Sequence, residues 1–214
     1  MKLTKKNKQI VTPSARISLD DLEKMSDADK FEIIKYVYDV AKKSKPDYDA
    51  IMAEIAEYDI ELPMSDADIN FPKIKKLFAI AQSYTTRVSN LEMKTIAAAQ
   101  IWRQLCDLMN MVITDLRWRL DDLTSKELLV INVDKLKNAR LQQAAVRKKL
   151  SSYHKKIHNA ERSLTRFKSN LSEIEELSKI ISIKKKDLAS VLMNLNRQLK
   201  TLKLELSVSG DLNP

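Results

Sequence analysis

Residues 73–209 contain neither glycine nor proline, and this long stretch without a helix breaker limits the possible folds more than any other feature. The whole chain of 214 residues has one glycine, Gly210, and five prolines. The turns of β-sandwiches and barrels, and the phosphate loops of nucleotide-binding α/β folds, depend on glycine. The sequence therefore predicts an all-α protein with long helices.

The first long helix is predicted from a heptad series that runs over residues 77–123. Apolar residues recur in alternating steps of four and three, and only Thr95 and Arg119 interrupt them. The positions beside the series are also largely apolar, for example Phe78 and Ile113. An apolar face of this width predicts a helix at the centre of a bundle, with neighbours on more than one side.

A second heptad series runs over residues 136–206, and its polar members are Gln143, Ser178 and Lys185. A continuous helix of this extent would be about 107 Å long. Its flanking positions are charged, unlike those of the first series: Arg140, Arg147, Lys149, Lys156, Lys168 and Lys184. A narrow apolar stripe between charged flanks predicts a coiled-coil helix.

Together the two series predict a long antiparallel coiled-coil hairpin within a helical bundle. We expect 77–123 to lie alongside 136–182, because the second series weakens at Ser178 and Lys185, where the first would end. Residues 186–206 are then expected to pack on helices of 20–70 or on another subunit.

The remaining organisation follows from charge and from helix-start signals. Thr124 to Glu127 matches a capping box, a motif that begins a new helix, so the first long helix is predicted to end in a turn here. The pentapeptide Met-Ser-Asp-Ala-Asp at 25–29 and 64–68 indicates a helix start at both places, and Pro46 is expected as the first residue of another helix. We expect a basic flexible arm at 1–19, short acidic helices at 20–70 as a small N-terminal helical region, the first long helix at 71–124, a turn at 125–134, a long basic helix at 135–207 and a tail at 208–214.

The strongest functional signal is the basic stretch 135–168, which holds eleven lysines or arginines and one acid, Glu161. A solvated helix face usually mixes charges of both signs, whereas phosphate backbones favour a face of this kind through counterion release. We predict that nucleic acid is bound by Arg140, Arg147, Lys148, Lys149, Lys155, Lys156, Arg162, Arg166 and Lys168. An acidic protein partner is the alternative, and the acidic segment 20–70 is itself a candidate.

Other motifs point away from catalysis. His154 and His158 share a helix face with Glu161, but Lys155 and Lys156 would repel a cation, so we expect no metal site. Arg117-Trp118-Arg119 suits a nucleic-acid base or phosphate, although we favour packing of Trp118 on a neighbour. The single cysteine, Cys106, is expected to be a buried filler. Without a phosphate loop or a catalytic dyad, we expect neither enzymatic activity nor a cofactor.

Three functions remain open. We expect a homo-oligomeric, coiled-coil assembly protein that binds nucleic acid, such as an accessory of viral or phage assembly or packaging. The alternatives are a structural adaptor or scaffold for acidic proteins and a peripheral membrane-binding module. A lone cysteine, no apolar run of membrane-spanning length and a basic N-terminus without an apolar core suit a reducing, cytoplasmic setting.

Overall fold

The described chain is built from helices alone. The computed structural model describes residues 17–63, 69–131 and 137–208, with side chains at all of these positions except 19, 126–131, 137–143 and 208. Of the described residues 90% are helical and none lies in a strand, which confirms the all-α prediction. The helices are α1 (Leu19–Lys24), α2 (Asp27–Ser44), α3 (Tyr48–Ala56), α4 (Phe71–Ile131) and α5 (Lys137–Val208).

Polar side chains fix the starts of the helices. Ser26 caps α2, as predicted, by accepting a hydrogen bond from the Asp29 amide (3.2 Å). The prediction for Pro46 was wrong: Asp47 caps α3, because its carboxylate can accept the Ala50 amide (3.1 Å) and Pro46 lies before the cap. Asn70 accepts the Lys73 amide (3.0 Å) at the start of α4. The basic arm up to residue 16, the second pentapeptide and the tail from 209 lie outside the described residues.

The turn expected at 125–134 is wrong for its first seven residues, since α4 continues to Ile131. The predicted capping box does not form. Thr124 donates its hydroxyl to the carbonyl oxygen of Leu120 (2.8 Å), four residues back within the same helix. Extending an existing helix avoids the unfavourable nucleation step, so the β-branched residues Val130 and Ile131 do not stop α4 at its predicted end. Residues 132–136 lie outside the described residues.

The chain divides into two compact units, and each contains part of both long helices. Unit 1 comprises Met1–Lys45 and Gln100–Leu171, and unit 2 comprises Pro46–Ala99 and Ser172–Pro214. In unit 1 the Trp102 ring packs edge-on against Phe167, with centroids 5.3 Å apart. The rings Tyr38 and Phe167 form a similar pair at 5.2 Å, which brings α2 against α5.

Unit 2 shows that the predicted register of the hairpin was wrong, although α4 and α5 do pack as a hairpin. Lys185 Nζ lies 2.5 Å from Glu92 Oε2, and Leu195 shares a buried cluster with Ile74 and Ala81. The part of α5 beyond 182, which the predicted pairing left unmatched, therefore packs against α4. The predicted loop was placed too early because α4 is longer than expected. The same cluster includes Ile60 and Leu62 at its edge, so contact with the segment 20–70 is confirmed.

The buried faces of both long helices follow the predicted heptads. Trp102, Met109, Val112 and Leu116 are buried on α4, and the flanking residue Cys106 is buried with them, as expected of a filler. Burial raises the pKa of the Cys106 thiol. On α5 the buried members in unit 1 are Tyr153, Ile157, Ala160, Leu164 and Phe167.

Unit 1 also buries one ammonium group. Lys30 is fully buried and forms an ion pair with Asp115, whose carboxylate also lies 3.3 Å from Arg119 Nε. Arg119 in turn contacts Asp27 (3.1 Å) and donates to the carbonyl oxygen of Glu23 (2.8 Å). This network ties α1 and α2 to α4, and it depends on Asp115 because that carboxylate contacts both cations.

Replacing Asp115 with alanine should therefore be far more damaging than replacing Lys30 with methionine. Asp115→Ala leaves the buried Lys30 uncompensated and should lower the free energy of unfolding by about 3–5 kcal/mol. Lys30→Met keeps the Asp115–Arg119 pair and adds an apolar side chain of similar length, so its effect should be clearly smaller. Urea unfolding followed by circular dichroism measures both, and equal losses would contradict this account of the network.

Candidate nucleic-acid interface

The basic residues of α5 in unit 1 lie outside the core. The buried positions of α5 turn toward its neighbours, which leaves the cations at intervening positions in contact with solvent. Arg140 belongs to α5, but its side chain lies outside the described residues. The other eight predicted residues are all exposed: Arg147, Lys148, Lys149, Lys155, Lys156, Arg162, Arg166 and Lys168.

Four of these cations form a row, which we call the outer stripe: Lys148, Lys155, Arg162 and Arg166. Their spacing of seven, seven and four residues places them on one side of the helix, roughly opposite its buried face. At about 1.5 Å per residue the stripe extends for about 27 Å. No carboxylate among the described residues lies within salt-bridge distance of any of the four.

The nearby acids are directed elsewhere. Glu161, the acid within the basic stretch, is held by Arg117 Nε at 2.5 Å. Asp27 of α2 contacts Arg119, and Asp29 is bonded to the Ser26 cap. The acids of 20–70 that pair with α5 include Asp59, but its partner is Lys184 in unit 2. The outer stripe therefore keeps its positive charge within the described part of unit 1.

A groove runs beside the outer stripe, between the start of α2 and the first turns of α5. It is open to solvent, has a volume of about 600 Å³ and is lined by Asp27, Ala28, Phe31, Ala145, Lys148, Lys149, Ser152, Tyr153 and Lys156. Phe31 and Tyr153 meet edge to face with centroids 5.6 Å apart, and Lys156 Nζ lies 5.0 Å from the centre of the Phe31 ring. The groove thus combines three ammonium groups with an aromatic pair.

The Tyr153 hydroxyl lies inside the fold, close to the Asp27 carboxylate. The residue is 8% exposed, and the contact of its buried hydroxyl with Asp27 is too loose to count as a well-formed hydrogen bond. Burial, then the charge of Asp27 and the interaction of the hydroxyl with that carboxylate, raise the pKa of this phenol well above its usual range. Tyr153 therefore contributes its ring to the groove, while its hydroxyl faces the acid of α2.

The groove was missed in the sequence because its two walls come from distant parts of the chain. In the sequence Tyr153 falls on the second heptad series and Phe31 on the apolar face of α2, so each resembles an ordinary core residue. A local signal did exist. Lys148, Ser152 and Lys156 follow each other at four-residue steps, and Lys149 and Tyr153 form a parallel row beside them.

The two histidines do not assemble a metal site. His158 Nδ1 lies 3.8 Å from Glu161, whose carboxylate already pairs with Arg117. His154 and His158 border a shallow groove of about 500 Å³ between α4 and α5, together with Lys155. No group of three or more metal-binding side chains is found in the part of the chain that the structure describes.

Trp118 differs from what we favoured. Instead of packing on a neighbour, it is 73% exposed on the side of α4 away from the buried residues. Its flanking arginines are engaged, Arg117 with Glu161 and Arg119 with Asp27 and Asp115. The tripeptide therefore presents one exposed aromatic ring rather than two guanidinium groups.

Comparison of the chain with protein-family models, with curated proteins and with solved structures finds no match. None of the described helices is both long enough and apolar enough to cross a membrane.

The two tryptophans should report these environments separately. With Trp102→Phe, the remaining Trp118 should emit at the long wavelength of a solvated indole and be readily quenched by acrylamide. With Trp118→Phe, the buried Trp102 should emit at shorter wavelength and be protected. Fluorescence of dilute protein measures both, and similar quenching of the two variants would contradict the exposure of Trp118.

Proposed function

We propose that this chain is a non-enzymatic, coiled-coil assembly protein that binds nucleic-acid phosphates through α5 and self-associates. The observation that carries the proposal is the outer stripe, four exposed cations in a row without a described carboxylate partner. Arg147, Lys149, Lys156 and Lys168 extend the positive field on both sides of the row. A helix face that is only solvated has no need for such one-sided charge.

The energetics favour phosphates as the ligand. Each phosphate contact releases condensed counterions, so affinity comes from charge density and is independent of sequence. A stripe about 27 Å long spans several phosphates of one strand, whose spacing in B-form DNA is about 3.4 Å along the axis. Contacts to phosphates carry no direct sequence information, so we propose binding without sequence preference.

Neutralising the stripe should therefore weaken binding and flatten its salt dependence. We expect the variant with glutamine at 148, 155, 162 and 166 to lose affinity for duplex DNA, and the slope of log K against log salt to fall by about 3 to 4. The control is a variant with glutamine at Lys179, Lys186, Lys200 and Lys203, which are equally exposed on α5 in unit 2. It makes the same change in net charge.

Fluorescence anisotropy across a salt series measures both variants. Equal losses in the two would mean that only net charge matters and would contradict a site in unit 1. Absence of binding by the unaltered chain at low salt would remove the proposal. Binding to vesicles of anionic lipid or to an acidic polypeptide, without binding to nucleic acid, would favour the peripheral membrane module or the adaptor.

For self-association we propose a contact between two copies of unit 1. Trp118 is exposed, and Asp121 follows it by three residues, so the two share one face of α4. An indole beside a carboxylate suits an incoming guanidinium, and Arg162 or Arg166 of a second copy supplies one from the outer stripe. At these two arginines self-association and phosphate binding therefore compete. Because the two surfaces differ, the contact is heterologous and can repeat from copy to copy.

Charge exchange tests this contact directly. Asp121→Lys should weaken self-association, as should Arg162→Glu combined with Arg166→Glu, while a mixture of the two variants should associate again. Trp118→Ala should weaken association without changing the stripe. Sedimentation velocity over a concentration series measures these outcomes, and a mixture that stays dissociated would contradict the contact. Trp118 could instead be protected from acrylamide at every protein concentration and lose this protection when residues 1–16 are removed. That result would assign this face to the chain's own N-terminal arm.

A further inference from the structure

We propose that the groove between α2 and α5 binds a single-stranded segment of nucleic acid, with a base against Phe31 and phosphates on Lys148, Lys149 and Lys156. This inference rests on the proposed function and adds to it a preference for single strands. It is carried by the groove itself, which brings an aromatic pair and three ammonium groups to one place.

The arrangement of the groove suits an unpaired strand. Proteins that bind single strands combine a basic path for the backbone with aromatic rings on which unpaired bases stack. A volume of about 600 Å³ leaves room for a nucleotide. In a duplex the bases are stacked and paired, so none can reach Phe31 unless it is flipped out, which costs a few kcal/mol. Duplex DNA would meet the outer stripe, including Lys148 at the edge of the groove, but would not place a base on Phe31.

Lys156 covers the face of the Phe31 ring on which a base would stack, so it must move when a strand binds. Its ammonium lies over the Phe31 ring, 5.0 Å from the centre, and has no described carboxylate partner. A base that stacks on Phe31 takes the place of this cation, and the long, flexible lysine side chain can turn to the neighbouring phosphate. When the strand binds, the Phe31 ring therefore exchanges the lysine for a base, and the Lys156 ammonium exchanges the ring for a phosphate.

A hydroxyl group on the wall of the groove supports the same ligand. Ser152 is exposed on α5 between Lys148 and Lys156, and its hydroxyl can donate a hydrogen bond to a phosphate or a base. Asp27 also lines the groove, but its carboxylate pairs with Arg119 at 3.1 Å, which reduces its repulsion of an anion.

The test compares oligothymidylate with duplex DNA of the same length, using the full chain and fluorescence anisotropy. The unaltered protein should bind the single strand more tightly. Phe31→Leu should weaken single-strand binding roughly 5- to 150-fold, which is the about 1–3 kcal/mol of one stacked base, and leave duplex binding unchanged. The matched control is Tyr38→Leu: Tyr38 is also an aromatic residue of α2 that packs on α5, but it lies outside the groove.

An abasic strand of the same length tests the proposal without altering the protein. It retains the phosphates and lacks the bases, so it should bind the unaltered chain as weakly as oligothymidylate binds Phe31→Leu. Equal binding of abasic and normal strands, or of single strand and duplex, would overturn this inference and leave the proposed function standing. Loss of binding to every one of these ligands would overturn both.

Discussion

The apolar face of α4 is wider than that of α5, and this difference determines most of the structure. α4 carries a wide apolar face, with Cys106 and Ile113 buried beside its heptad positions, so it requires more than one neighbour. α5 has a narrow apolar stripe, which fewer neighbouring helices are enough to bury. In unit 1, α2 completes the bundle through Tyr38 and Phe31. The cations of α5 are left outside because no apolar contact requires the positions that they occupy.

Local patterns in the sequence predicted what depends on local physics. The absence of helix breakers and the heptads identified both long helices, and Ser26 was recognised as a cap. Long-range pairing was not predictable in the same way. Lys185 interrupts the second heptad series, and only the position of Glu92 on α4 explains it. Lys30 resembles an ordinary surface lysine in the sequence, since its burial depends on Asp115, 85 residues away.

The same distinction applies to the candidate site. The basic residues were predicted because a run of one charge is visible in one segment. The groove was not, because Phe31 on α2 and Tyr153 on α5 are 122 residues apart in the chain and meet only through tertiary packing. A helix that continues past a predicted stop shifts every later pairing. A turn that is predicted at the wrong position therefore leads to a wrong prediction of which side chains come together.

The outer stripe also has a cost for the folded chain, and this cost bears on its role. Like charges four residues apart, as at Arg162 and Arg166, destabilise a helix by about 0.2–0.5 kcal/mol. Within the described residues of unit 1, Glu161 is the acid best placed to offset them, yet it is committed to Arg117. A bound polyanion would relieve this repulsion, since phosphates would stand where carboxylates are lacking. Binding and helix stability are then linked, and the ligand would stabilise α5 most in the segment that contacts it.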